Sequence, residues 1–161
     1  MEDKSYYKRL FPLLNDYHLI NNSETDRYNC ISHTLGIKNV SSWSHKDEQK
    51  FYWPVKRELS IEAFDEFYKY HGFIKQKYLD DRYDKNILKV GLYTKDDIPT
   101  HACVQINEKF WQSKIGELGI IIHDLYELES NAYGTINCIY VKKKGILKFN
   151  EHIYYNSLEK I

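Results

Sequence analysis

The sequence predicts an α+β domain in which a short cysteine-bearing helix lies on a small antiparallel sheet. Three stretches carry that expectation. Ile61, Phe64, Phe67, Tyr68 and His71 recur at helical spacing behind Ser60, a good N-cap, and ahead of Gly72. Residues 100–114 alternate as two strands around Asn107-Glu108-Lys109, which reads as a β-hairpin. Between Asn29 and Gly36 a shorter helix opens on Cys30. Asn29 can accept from the first free backbone N–H groups, and Gly36 suits the left-handed residue that closes a helix.

The remaining elements follow in chain order. Residues 4–20 read as a short helix or two turns interrupted at Pro12, and residues 21–26 as a polar loop. Residues 37–59 are irregular and aromatic, with Trp43, Phe51, Tyr52 and Trp53, either the wall of a groove or a loop packed on the core. Residues 73–75 suit a short strand. Residues 78–86 are charged but lack the Gly turn and distal Glu of a calcium loop, so they read as solvated surface. Residues 87–94 form a buried strand, residues 120–128 a short helix or irregular segment, and residues 133–141 the last core strand.

Composition narrows the class. The 161 residues fit one domain, 1–161, with its core at about 20–141 and a C-terminal extension at 142–161. Fifteen Tyr and a mean hydropathy of −0.64 mean that amphipathic rings supply much of the apolar surface. Lys+Arg and Asp+Glu balance at 23 each, without the basic footprint of a nucleic-acid binder. No apolar run approaches the ~20 residues of a membrane span. The N-terminus lacks a signal-peptide layout, so the expected location is cytoplasmic, or outside the cell by a signal-less secretion route. Cys30, Cys103 and Cys138 are odd in number and widely spaced, which argues against a disulfide scaffold and a zinc site. No metal and no cofactor are expected. The sequence carries no signal for an oligomeric state.

The chemistry centres on Cys30. At a helix start, free N–H groups and the helix dipole favour a thiolate, the form a cysteine nucleophile needs if a histidine arrives from elsewhere in the fold. The plainer alternative is a small buried hydrophobe. His101 is the candidate partner, sharing one strand face with Cys103 and Gln105 while Ala102, Val104 and Ile106 share the other. A three-residue turn at 107–109 sets Cys103 opposite Ser113 and so places Ser113 on the His101 face. A two-residue turn places Gln112 there instead. Amide side chains are good imidazole orienters, but the longer turn favours Ser113. His123 and Asp124 are further candidates if their segment folds back over the hairpin.

Asn29-Cys30-Ile31, Leu35-Gly36, Trp53-Pro54, Thr100-His101-Ala102, Trp111-Gln112-Ser113-Lys114-Ile115-Gly116 and Tyr133-Gly134 succeed one another between residues 28 and 141. This order resembles a widespread, largely uncharacterised family of small bacterial proteins with N-C-[IL]…L-G, W-P, T-H-A, W-x-S-K-[LI]-G and Y-G motifs. More loosely, it is similar to the papain-like superfamily with its NlpC/P60 branch, in which a strand-borne His and a polar orienter follow a helix-borne Cys. The resemblance implies a papain-like α+β fold, Cys30 as nucleophile, His101 as general base and Ser113 or Gln112 as orienter. It also implies an oxyanion held at the helix start, with Asn29 beside it. The chain departs from the pattern in having no evident Gln or Tyr oxyanion donor upstream of Cys30, with Tyr17 and Tyr28 as the candidates there. His33 also stands where relatives often carry an aromatic.

The expected function is therefore a cysteine hydrolase acting on an amide or related acyl bond, as a peptidase, amidase or deamidase. Its substrate would be a protein, a peptide or another amide-containing molecule. One alternative is a non-catalytic protein- or peptide-binding module using Trp43, Trp53, Trp111 and the tyrosine-rich surface. Another is a bacterial effector or toxin domain that turns the same dyad on a host or rival protein.

Overall fold

Seven antiparallel strands in a single sheet dominate the computed structural model, which describes residues 4–15, 17–46 and 49–145. In chain order the elements are α1 (Lys4–Leu10), β1 (His18–Leu19), α2 (Cys30–Thr34), α3 (Ile61–Tyr70), β2 (Ile74–Lys75), β3 (Ile87–Lys95), β4 (Ile98–Gln105), β5 (Trp111–Lys114), β6 (Ile120–His123) and β7 (Thr135–Lys143). A 3₁₀ turn, Leu125–Leu128, separates β6 from β7. The strand order is β1-β6-β5-β4-β3-β7-β2.

This overturns the expected papain-like α+β architecture of a helix on a small sheet. Among the described residues the protein is β-rich, and its helices are few and short. The extra strands escape sequence reading for a physical reason. β1 is only two residues, too short for any period to show, whereas β2 falls within the short strand expected at 73–75. Ile120-Ile121-Ile122-His123 is a short apolar run that periodicity cannot assign to helix or strand; it is β6, buried along its whole length.

Both faces of the sheet are covered, so β3 is buried along nearly its full length rather than alternating. On one face Val90, Leu92, Ala102, Val104, Ile122 and Tyr140 pack with Cys30 and Ile31 of α2 and with Phe64, Phe67 and Tyr68 of α3. On the other, Tyr93, Cys103, Trp111, Ile121 and Ile139 pack with Tyr7 of α1, with Phe11 and Leu14, and with Leu125 and Leu128.

Helix α3 forms where its period and caps expect it. The Ser60 side chain accepts from the Ala63 N–H, and Gly72 takes φ +89° just beyond the C-cap. Trp53 stacks on its Phe67 at 4.2 Å, and Tyr68 shares a 2.8 Å hydrogen bond with Thr34 of α2. The β4–β5 hairpin takes the register of the three-residue turn, with Val104 opposite Gln112 and Gln105 opposite Trp111. Lys142 and Lys143 complete β7 rather than begin an extension. The expected extension from residue 146 onward lies outside the described residues. No helix among the described residues is long and apolar enough to cross a membrane.

Candidate active site

Helix α2 is built to hold its first residue still. Asn29 accepts from the Ser32 N–H at 3.2 Å and the Ser42 N–H at 3.1 Å, and its amide donates to the Ser42 carbonyl at 2.8 Å. Ser32 donates to the Val40 carbonyl at 2.7 Å, so the 2.7 Å contact between the two serine hydroxyls is donated by Ser42. Asn29 thus caps the helix and fastens Ser42 beside it, while Ser32 fastens Val40.

Cys30 lies under this cap, 7% exposed. The backbone N–H groups of Ala102, Ile31 and Cys30 itself face the sulfur, and Lys114 adds positive charge nearby. These favour the thiolate, as the helix start predicts. Burial outweighs them and pushes the thiol up to about 11. The resting group is a protonated thiol, contrary to the lowered pKa expected of this position.

His101 is fully buried. Its ring lies flat on Tyr133, with centroids 4.1 Å apart and planes within 3°, and Tyr93 borders it at 5.5 Å, tilted by 45°. Its Nε2 meets the Ser113 hydroxyl at 2.9 Å, and that hydroxyl meets His123 Nε2 at 2.7 Å. His123 Nδ1 in turn contacts the Asp124 carbonyl at 2.7 Å. Burial, followed by the nearby His123 and His33 rings, holds His101 well below its ordinary range. Burial also lowers His123 to about 4.

Of the candidate orienters, Ser113 is therefore the one that touches His101. Gln112 points to the opposite face, where its Oε1 accepts from His33 Nε2 at 2.6 Å. The Asp124 carboxylate turns away to cap the 3₁₀ turn.

Cys30 and His101 are not joined by a hydrogen bond: His101 Nδ1 is buried with no partner. The thiol belongs to the α2-facing cluster with Ala102 and Val104, while the imidazole shares the other face with Tyr93 and Cys103. The β4–β5 ladder covers only Val104 and Gln105, and one turn of strand earlier the Ala102 N–H is turned to the Cys30 sulfur. Tyr133, on which His101 stacks, is close enough to Cys30 that a thiolate there would oppose ionisation of the phenol.

Two residues of the motifs have roles that their spacing does not reveal. Tyr133 is the stacking platform of His101. Lys114 is fully buried, and its ammonium donates to the carbonyls of Thr25, at 2.8 Å, Gly116 and Leu118. A buried lysine is stable only when its charge is so satisfied. Here it clamps the loop before α2 to the loop after β5. Both loops border an open groove of about 770 Å³ lined by Tyr28, Asn29, Val40, Trp43, Phe51 and Gly116. Trp43 and Phe51 of the aromatic loop thus form a wall, whereas Trp53 packs on α3. Replacing Lys114 by Met removes the clamp, at an expected cost of about 3 kcal/mol. The loosened loops should expose Cys30 and raise its alkylation rate about tenfold, read by mass spectrometry.

Residues 19–141 match the family model of a domain of unknown function, DUF7689. The chain belongs to the DUF7689 family. Comparison with curated proteins and with solved structures finds no match. In this DUF7689 chain no group of three or more His, Cys, Asp or Glu among the described residues is placed to hold a metal ion.

Proposed function

We propose that this DUF7689 domain is a cysteine-dependent hydrolase of amide or related acyl bonds, with Cys30 as nucleophile, His101 as general base and Ser113 as the group that orients it. One observation carries the reading. Ser113 engages His101 Nε2, while Nδ1 is buried without a partner, one residue from the backbone N–H that faces the Cys30 sulfur.

The resting pair is neutral, so the proton moves only as the thiol attacks. Sulfur bonds to the substrate carbonyl carbon as His101 Nδ1 takes the thiol proton, and the backbone N–H groups of Cys30 and Ala102 receive the oxyanion. Collapse expels the amine with that proton and leaves a thioester, which water then cleaves. The substrate is a protein, peptide or other amide lying in the groove over Tyr28 and Asn29. The expected setting is the cytoplasm or, after signal-less export, a target cell.

Alkylation by iodoacetamide across pH 5–9, resolved by mass spectrometry, tests this. Cys30 should react ahead of Cys103 and Cys138, at a rate nearly flat above the titration of His101. In His101→Ala the rate should instead climb about tenfold per pH unit toward the thiol's own pKa. A Cys30 that reacts no faster than the other two thiols, or ignores His101→Ala, overturns the enzyme. Its deep burial then favours the second reading, a non-catalytic module whose aromatic groove binds protein or peptide.

A further inference from the structure

The hydrogen bonds around Ser113 run in one direction, and that direction is set two residues away from His101. A backbone carbonyl only accepts, so the 2.7 Å contact between His123 Nδ1 and the Asp124 carbonyl places a proton on Nδ1. His123 is buried and neutral, so its Nε2 is a bare lone pair. The 2.7 Å contact from Nε2 to Ser113 Oγ must then be donated by the hydroxyl. A hydroxyl has a single proton. With that proton spent on His123, Ser113 can only accept from His101, so the 2.9 Å contact is donated by His101 Nε2–H. The second nitrogen, Nδ1, is left as the lone pair, and it is the buried nitrogen without a partner.

We propose that His123 is a positioning residue that acts through Ser113, using the Asp124 carbonyl as a fixed reference to hold His101 in the Nε2–H tautomer with Nδ1 free to accept a proton. This rests on the nucleophile reading of Cys30 for its purpose and on hydrogen-bond direction for its substance. Without His123, the Ser113 proton is free to turn toward His101 Nε2, and the imidazole then carries its proton on Nδ1, where it can no longer act as a base. Tyr133, stacked on the His101 ring, and Tyr93, tilted beside it, fix its plane but not its tautomer. When His101 is protonated at Nδ1, the same chain stabilises the imidazolium, because its Nε2–H donates to an oxygen already polarised by His123. Sequence spacing alone does not reveal this role, since His123 reaches His101 only through another side chain.

Imidazole nitrogen chemical shifts, read by long-range proton–nitrogen correlation on ¹⁵N-histidine-labelled protein at pH 7, test the proposal in the wild type and in two variants. The wild type should show His101 protonated on Nε2 and His123 protonated on Nδ1. His123→Phe, which keeps the ring volume and removes the acceptor, should move His101 to the Nδ1–H form and slow Cys30 alkylation about tenfold or more. His123→Gln, whose amide oxygen can again accept from Ser113, should restore the Nε2–H form and most of the rate. A wild-type His101 protonated on Nδ1, or an unchanged tautomer in His123→Phe, overturns the proposal. The tautomer is read whether or not Cys30 reacts, so a failure here leaves the nucleophile standing and an inert Cys30 leaves the tautomer assignment standing.

Discussion

Acidification from pH 7 to pH 4 should remove about 6 kcal/mol of folding stability from this domain, enough to unfold a protein of ordinary stability. His33 and His123 are fully buried, and burial, the largest influence on each, lowers both from 6.5 to about 4. For His33 the Gln112 hydrogen bond opposes the shift, and the charges of Lys114 and Lys38 add to it. Above pH 6.5 the folded and unfolded chains both carry these rings neutral, and the full stability is present. As pH falls from 6.5 toward 4, the unfolded chain binds protons that the folded chain refuses. Stability is lost through that window, about 3 kcal/mol per ring, and the loss levels off below pH 4. His101 shifts in the same direction and deepens the loss. Urea midpoints followed by circular dichroism at half-unit steps of pH should fall steeply between 6.5 and 4. A midpoint that stays level down to pH 5 contradicts the burial of these rings as neutral groups.

The same three histidines show where sequence reading reached and where it stopped. The register that puts Ser113 on the face of His101 was legible, because the length of the 107–109 turn fixes which side chains face each other. Helix α3 was legible because Ser60, Gly72 and the apolar positions Ile61, Phe64, Phe67 and Tyr68 all point to one answer. The face on which Cys30 rests was not. Alternation names two faces of β4 without saying which lies under α2, and the helix proves to pack on the Ala102 and Val104 side. Nor was the state of the thiol, since a cap and a helix start are local while burial is decided by the whole fold. The number of strands was missed for the same reason. The two-residue β1 and a run of three isoleucines acquire their identity from their neighbours in the sheet.

Gly134→Ala should cost about 4 kcal/mol, the largest single-residue loss expected outside the cores. Gly134 sits at φ +75°, where a side chain is strained whatever the space around it. Here there is also no space. An added Cβ would stand 1.9 Å from the Thr94 carbonyl oxygen and 2.8 Å from the Lys95 Cα, both backbone atoms of β3 that no rotamer change can move. The loop carrying Gly134 is tied on every side. Gly134 and Ser130 exchange backbone hydrogen bonds at 2.8 and 3.0 Å, and the Tyr133 carbonyl accepts from the Thr100 hydroxyl at 2.6 Å. Relief of the clash must therefore displace Tyr133, and with it the surface on which His101 is stacked. Gly116→Ala is the matched control. It has a positive φ of +50° with nothing within 4 Å of the added carbon, so only the backbone strain remains, about 1 kcal/mol. Thermal unfolding should separate the two variants by several degrees, and near-ultraviolet circular dichroism should change for Gly134→Ala alone as Tyr133 leaves its stack. Equal losses in the two variants would mean that β3 yields to the added carbon, and that Tyr133 does not depend on glycine to reach His101.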